Sequence, residues 1–172
     1  KGSNLDCEPD EKCIELEHIE SKTGRILGST HAKNQASIKT CFRQDDILFG
    51  KLRPYLRKVA MATYNGVCSS EIWVIRAVND CIQNSFIFHT LNTERFFASV
   101  NTTTGTKMPR ADWKYISDFI VAYPIDTNEQ HAITHVLSTA DREIDLLQQE
   151  IEQRQLMKKA LSQLLLTGLV RV

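Results

Sequence analysis

Apolar and polar residues change rhythm along this chain, and the changes predict its elements. At 13–20, CIELEHIE sets Ile14, Leu16 and His18 among acidic neighbours, an alternation that predicts a half-buried strand. After a polar loop with Gly24 and Gly28, Asp45 and Asp46 lead into ILFGKL, a short apolar run that predicts another. In KVAMATYNGVCSSEIWVIRAV, the pair Asn65-Gly66 separates two β-rich runs and predicts a hairpin with a type I′ turn. Residues 84–100 space Phe86, Ile87, Leu91 and Phe97 as a helix would. A loop rich in Thr, Gly and Pro spans 101–112, and ISDFIVAYP then predicts one more strand. The order is mixed, without the regular alternation of a doubly wound sheet, so the fold class expected for residues 1–126 is α+β with a mixed sheet.

From residue 127 the rhythm is different. Pro124 closes the preceding strand, and Thr127 with Gln130 three residues later predicts a capping box. No Gly or Pro follows until Gly168 supplies a stop. Ile133, Leu137, Ala140, Ile144, Leu147, Ile151, Leu161 and Leu165 recur at heptad spacing, interrupted by Arg154 and Lys158. One long amphipathic helix is predicted over 127–172, ending near Leu166. About forty residues at about 1.5 Å each reach roughly 60 Å. A globule of about 126 residues is roughly 35–40 Å across, so such a helix overhangs it. Leaving the large seam residues in water forfeits on the order of 10–15 kcal/mol. A second long helix in a coiled coil is expected to cover them; a helix folded back as core is the alternative.

Composition adds less. The 172 residues include 21 Lys or Arg and 21 Asp or Glu, and 42% are hydrophobic, enough for one well-filled core and an appended element. The net charge of zero is unevenly spread. Residues 1–20 have seven acids against two lysines (−5), 21–126 have 14 basic against 8 acidic side chains (+6), and 127–172 have 5 against 6 (−1). A basic middle section is compatible with a polyanion partner without demanding one. No apolar run approaches the length of a membrane span and no leader pattern is present, so a cytoplasmic protein is expected. The five cysteines are odd in number and form no C-x-x-C pair, which fits reduced thiols. His131 and His135 share a helix face, but Ala132 stands where a zinc protease needs Glu, so a plain helical surface is the better reading.

The motifs of catalysis are missing: there is no Gly-rich phosphate loop, nucleophile elbow, methyl-donor motif or adenine-methylation segment. A nucleophilic pair of Cys68 with a histidine is weighed against the commoner fate of a buried thiol. Binding remains. Residues 51–58, KLRPYLRK, carry Lys51, Arg53, Arg57 and Lys58 with Tyr55 and no acid, suited to phosphates and a stacking face. Residues 101–114, NTTTGTKMPRADWK, offer Thr103, Lys107 and Arg110 to groove edges or phosphates. Solvated surface turns are the alternative for both.

Taken together, DDILFGKLRPYLRK at 45–58, GVCSSE at 66–71, GTKMPRADW at 105–113 and PIDTNEQ leading into the helix, with the ending LLLTGLVRV, resemble a known family in order and spacing. It is the specificity (S) subunit of type I restriction–modification systems, and the resemblance covers nearly the whole chain. The resemblance implies a target recognition domain at 1–126 and a conserved-region helix at 127–172 for dimerisation and methyltransferase docking. It implies one half of a full-sized subunit, either a half-sized subunit or a fragment, with an opening strand expected ahead of CIELEHIE. The implied partners are double-stranded DNA, methyltransferase (M) subunits, a restriction (R) subunit through the assembled complex, and a second copy or second recognition unit paired through the helix. No catalytic residue, metal or cofactor is expected. Expected DNA-binding residues are Lys51, Arg53, Arg57, Lys58, Ser69, Ser70, Thr103, Lys107 and Arg110. In an antiparallel helix pair, Arg154 and Lys158 would meet Asp141, Glu143 or Asp145 of the other helix. A coiled-coil scaffold without DNA binding is the competing reading.

Overall fold

The computed structural model describes residues 11–31, 39–100 and 109–171. It divides into two compact units, Lys1–His131 and Ala132–Val172. Among the described residues, the first unit contains seven strands: β1 (Lys12–Ile14), β2 (Thr30–His31), β3 (Lys39–Phe42), β4 (Ile47–Gly50), β5 (Val59–Met61), β6 (Gly66–Ser69) and β7 (Ile72–Ile75). Three helices follow, α1 (Asn84–Leu91), α2 (Glu94–Val100) and α3 (Trp113–Ser117), and α4 runs from Thr127 to Leu166.

The strands form two sheets. One has the order β2-β1-β6-β3, with β1 and β6 parallel and the other pairs antiparallel; the second is antiparallel with the order β5-β4-β7. Side chains alternate across β4, and both of its faces are buried. Ile47 and Phe49 enter a core with Val59, Leu91, Phe96, Phe97, Val100 and Ile116, whereas Leu48 enters another with Ile14, Phe42, Ala60, Cys68 and Ile72. A central strand covered by helices on one face and by another sheet on the other needs no polar side, which explains the unbroken apolar run ILF.

Several predicted elements take a different form. The expected strand 13–20 lasts only through Ile14. The His18 Nδ1 accepts from the Glu15 N–H at 2.9 Å, winding Leu16–His18 into a short 3-10 turn. The expected hairpin at Asn65-Gly66 does not form, because β5 and β6 belong to different sheets. Asn65 instead accepts the Gln44 N–H at 2.8 Å, and Gly66 has no positive φ. Gly66 is required for closeness: a Cβ there would sit 2.6 Å from the Lys12 carbonyl oxygen and 2.9 Å from the Phe42 ring. The pair thus marks a crossing between sheets. Residues 84–100 form two helices, the second capped by Thr93 Oγ1, which accepts the Phe96 N–H at 3.3 Å.

The strand expected over ISDFIVAYP is also absent. Ile116 lies in α3, and residues 118–126 pair with no strand among the described residues. Phe119 anchors this stretch by packing edge-on to Phe96 at 5.1 Å, while Ile120 is exposed. At the start of α4 the cap is Asp126, one residue earlier than expected, whose Oδ1 accepts the Asn128 N–H at 2.9 Å. Gln130 does not close a capping box. Fully buried, it donates from Nε2 to the carbonyls of Cys81 (2.8 Å) and Pro124 (2.7 Å), and its Oε1 accepts the Gln83 N–H at 3.0 Å.

The second unit is the remainder of α4. Gly168, at φ 72°, ends it in a left-handed turn and donates to the Leu165 carbonyl at 3.2 Å. Seam side chains Ile133, Leu137, Ala140, Ile144, Leu147, Ile151, Leu161 and Leu165 are all exposed, Leu147 at 59%. Arg154 bonds Glu150 one turn back on its own helix, at 2.7 Å. No helix among the described residues is long and apolar enough to cross a membrane.

Candidate nucleic-acid interface

Three segments far apart in the chain meet beyond the end of β4. The Lys51 N–H donates to the Glu71 carbonyl at 2.9 Å, and the Ala111 N–H donates to the Lys51 carbonyl at 2.8 Å. Leu52 and Arg110 form an antiparallel bridge, and the Arg53 N–H donates to the Pro109 carbonyl at 2.8 Å. KLRP, the SSE corner and the PRADW stretch are thereby bound to one another through their backbones. Gly50 permits the turn: a Cβ there would lie 2.8 Å from Leu16 Cδ2 and 3.2 Å from Lys58 Cβ. Arg53 and Arg57 both adopt left-handed backbone conformations around a 3-10 turn at Pro54–Leu56. Such φ values are uncommon for side chains of this size, and the three-segment ladder holds Arg53 in place.

Side chains on this scaffold sort into two groups. Arg110 donates from Nε and Nη2 to the Glu71 carboxylate at 3.2 and 3.0 Å. Lys51 Nζ lies 5.7 Å from the Trp73 ring centroid, and Trp73 meets Trp113 edge-on at 5.3 Å. Arg53, Tyr55, Ser70 and Lys114 are exposed. The other expected contacts have partners within the unit. Arg57 forms a two-point ion pair with Glu94 and sits 4.8 Å from the Phe97 ring centroid. The Glu94 hydrogen bonds hold the Arg57 guanidinium above its usual pKa. Lys58 Nζ donates to the Leu16 carbonyl at 2.6 Å, and Ser69 is buried, accepting the Glu71 N–H at 3.4 Å. Thr103 and Lys107 lie outside the described residues.

A second polar cluster lies across β1, β3 and β6, where buried Lys39 donates to Glu15 Oε1 at 2.5 Å. Burial alone would raise the Glu15 pKa, but hydrogen bonds from Lys39 and Ser69 outweigh it and the net shift is downward. Nearby, burial pushes the Cys68 thiol up to about 12, and its Sγ donates to the Thr40 carbonyl at 3.4 Å. A thiol held protonated in this way is a poor nucleophile, which argues against the Cys68–His reading. Glu71, Trp73 and Trp113 escape the sequence reading, and Gln130 enters it only as a capping-box partner. The one signal available for Glu71 was an acid one residue beyond an otherwise neutral, Ser-rich corner.

The family model for the type I restriction modification DNA specificity domain matches residues 18–154. The type I restriction enzyme EcoDI specificity subunit of Escherichia coli is 32% identical over 138 residues, which are 78% of this chain and 30% of that protein. The HsdS subunit from Thermoanaerobacter tengcongensis has a similar fold, with a TM-score of 0.66 at 23% identity over 90% of this chain and 43% of that one. The S subunit from M. genitalium aligns with a TM-score of 0.58 at 16% identity, over 95% and 41% of the two chains. The chain therefore spans less than half the length of each of these relatives. The family match runs over most of the chain, through the three joined segments and into α4: the chain belongs to the type I restriction–modification DNA specificity domain family.

Proposed function

We propose that this chain recognises one half of a bipartite DNA site and directs adenine methylation and restriction by partner subunits. In this reading residues 1–126 act as the recognition domain and 127–172 as the helix for dimerisation and methyltransferase docking. The observation that carries it is the backbone ladder joining 51–53, 71 and 109–111, because it brings Lys51, Arg53 and Arg110, from two distant segments, next to one another. Cations set the register on phosphates, and polar side chains at the same surface probe base edges. Each bidentate base contact adds about 1–3 kcal/mol of discrimination. The chemistry resides in the methyltransferase and restriction partners.

The exposed seam of α4 supports pairing with another long helix, from a second copy or a second recognition unit. Two copies related by a two-fold axis read a palindrome with a gap. Mapping modified bases in DNA from cells that co-express the chain with its methyltransferase subunit tests this. A gapped palindrome carrying methyl-adenine is expected for a symmetric pair, and a gapped asymmetric motif for two different units. No motif, with the methyltransferase folded and bound, would overturn the reading and leave a scaffold.

A further inference from the structure

We propose that Trp113 is a DNA-stacking residue, its indole packing against a base of the segment whose phosphates Lys51, Arg53 and Lys114 hold. This deepens, and rests on, the reading of the chain as a DNA-recognition unit. Trp113 is 51% exposed, although a tryptophan is among the side chains with most to gain from burial. Its exposure is not looseness. Its ring meets Trp73 at 5.3 Å with an interplanar angle of 73°, and Trp73 stacks on Phe49 at 5.9 Å and 16°. Phe49 is in the core, so a column of three rings runs from the interior to the surface and ends on the Trp113 indole.

The backbone restrains the same residue. Asp112 caps α3 by accepting the Lys114 N–H at 3.0 Å, and buried Ile116 anchors the helix three residues on. Swinging Trp113 inward would break that cap or displace Trp73. Its surroundings select the occupant. Lys51 is held at the Trp73 ring, left-handed Arg53 follows the Leu52–Arg110 bridge and bonds the Pro109 carbonyl through its N–H, and Lys114 is next in sequence. These three cations pair with no carboxylate among the described residues. An apolar protein surface would leave them desolvated, whereas a polyanion with flat apolar rings satisfies both the cations and the indole.

The test begins by selecting duplexes from a random-sequence library on the full chain. With a selected duplex, Trp113→Ala is expected to weaken binding by several-fold, less than a stack on a single-stranded base because the indole must first open a base step of the duplex. Trp113→Phe should stay within a few-fold of the wild type. Iodide quenching of the wild-type emission should fall when the duplex is bound, and Trp113→Phe supplies the Trp73 baseline. That measurement decides alone if the alanine variant fails to fold. Unchanged affinity of Trp113→Ala, or unaltered iodide access in the wild type, would overturn the stacking role and leave DNA recognition standing. If no duplex binds, both readings fall.

Discussion

Glu71 and Arg110, thirty-nine positions apart, form a two-point ion pair that ties the SSE corner to the PRADW stretch. The Arg110 side chain is 64% exposed, so the pair contributes at most about 1 kcal/mol to stability. Its consequence is electrostatic. On the proposed reading, Glu71 neutralises a cation that would otherwise face a phosphate. Glu71→Gln should tighten non-specific duplex binding several-fold and steepen the dependence of log K on log salt by about one unit. Salt-titrated binding of wild type and variant measures both. An unchanged slope would mean that Arg110 does not reach DNA.

Gln130 supplies hydrogen bonds to three backbone groups from a fully buried position. Gln130→Leu leaves those groups without partners and should cost about 2–5 kcal/mol, more than one bond because each orphaned group has its own penalty. Urea unfolding reads the loss. Gln130→Glu should do comparable harm, since an ionised carboxylate cannot donate to the Cys81 and Pro124 carbonyls.

Gly66→Ala places a methyl 2.6 Å from the Lys12 carbonyl, where the parallel β1–β6 pairing leaves no slack. Destabilisation of about 1–3 kcal/mol is expected. The same change at Gly28, where the nearest atom is 4.0 Å away, should be close to neutral.

Ionisation of Cys68 opposes folding. Its pKa is about 12 in the fold against an ordinary 9.0, so above pH 9 the unfolded chain loses a proton that the folded chain keeps. Stability contributed by this group therefore falls as pH rises from about 9 toward 12, with a slope of up to about 1.4 kcal/mol per pH unit. Native alkylation at pH 8, followed by mass mapping, should modify exposed Cys41 and Cys81 well before buried Cys13 and Cys68.

Leu147→Glu inserts a charge into the exposed seam of α4. If the seam pairs two helices, sedimentation should show a shift to monomer, with the thermal midpoint of the first unit nearly unchanged. An unaltered oligomeric state would remove helix pairing through Leu147 from the proposed function.

Legibility followed sequence locality. The heptad spacing from Ile133 to Leu165 and the absence of Gly and Pro made α4 plain, because a helix's own period is written in consecutive residues. The apolar run Ile47–Phe49 was equally readable as a strand. Failures came where a distant partner decides the outcome. Asn65-Gly66 looks like a turn locally, yet Lys12 and Phe42 close over Gly66 and send the chain into another sheet. Arg57 and Arg53 are indistinguishable in KLRPYLRK, and only Glu94, thirty-seven residues beyond Arg57, gives one of them a carboxylate partner. Thr127 and Asp126 are both good helix caps, so the choice between them falls below the resolution of pattern reading.

Strand β4 is a party wall: Ile47 and Phe49 furnish one room, and Leu48 the other. Neither room can be emptied without taking down the shared partition, so the first unit should melt in a single transition, with the β4 amides last to exchange with solvent. The wall also leads, at Gly50, straight into the backbone ladder that joins 51–53, 71 and 109–111. On the proposed reading, substitutions in the exposed side chains beyond that point change which duplex is preferred without touching either interior. Retargeting and folding would then fall to different stretches of one continuous strand and loop.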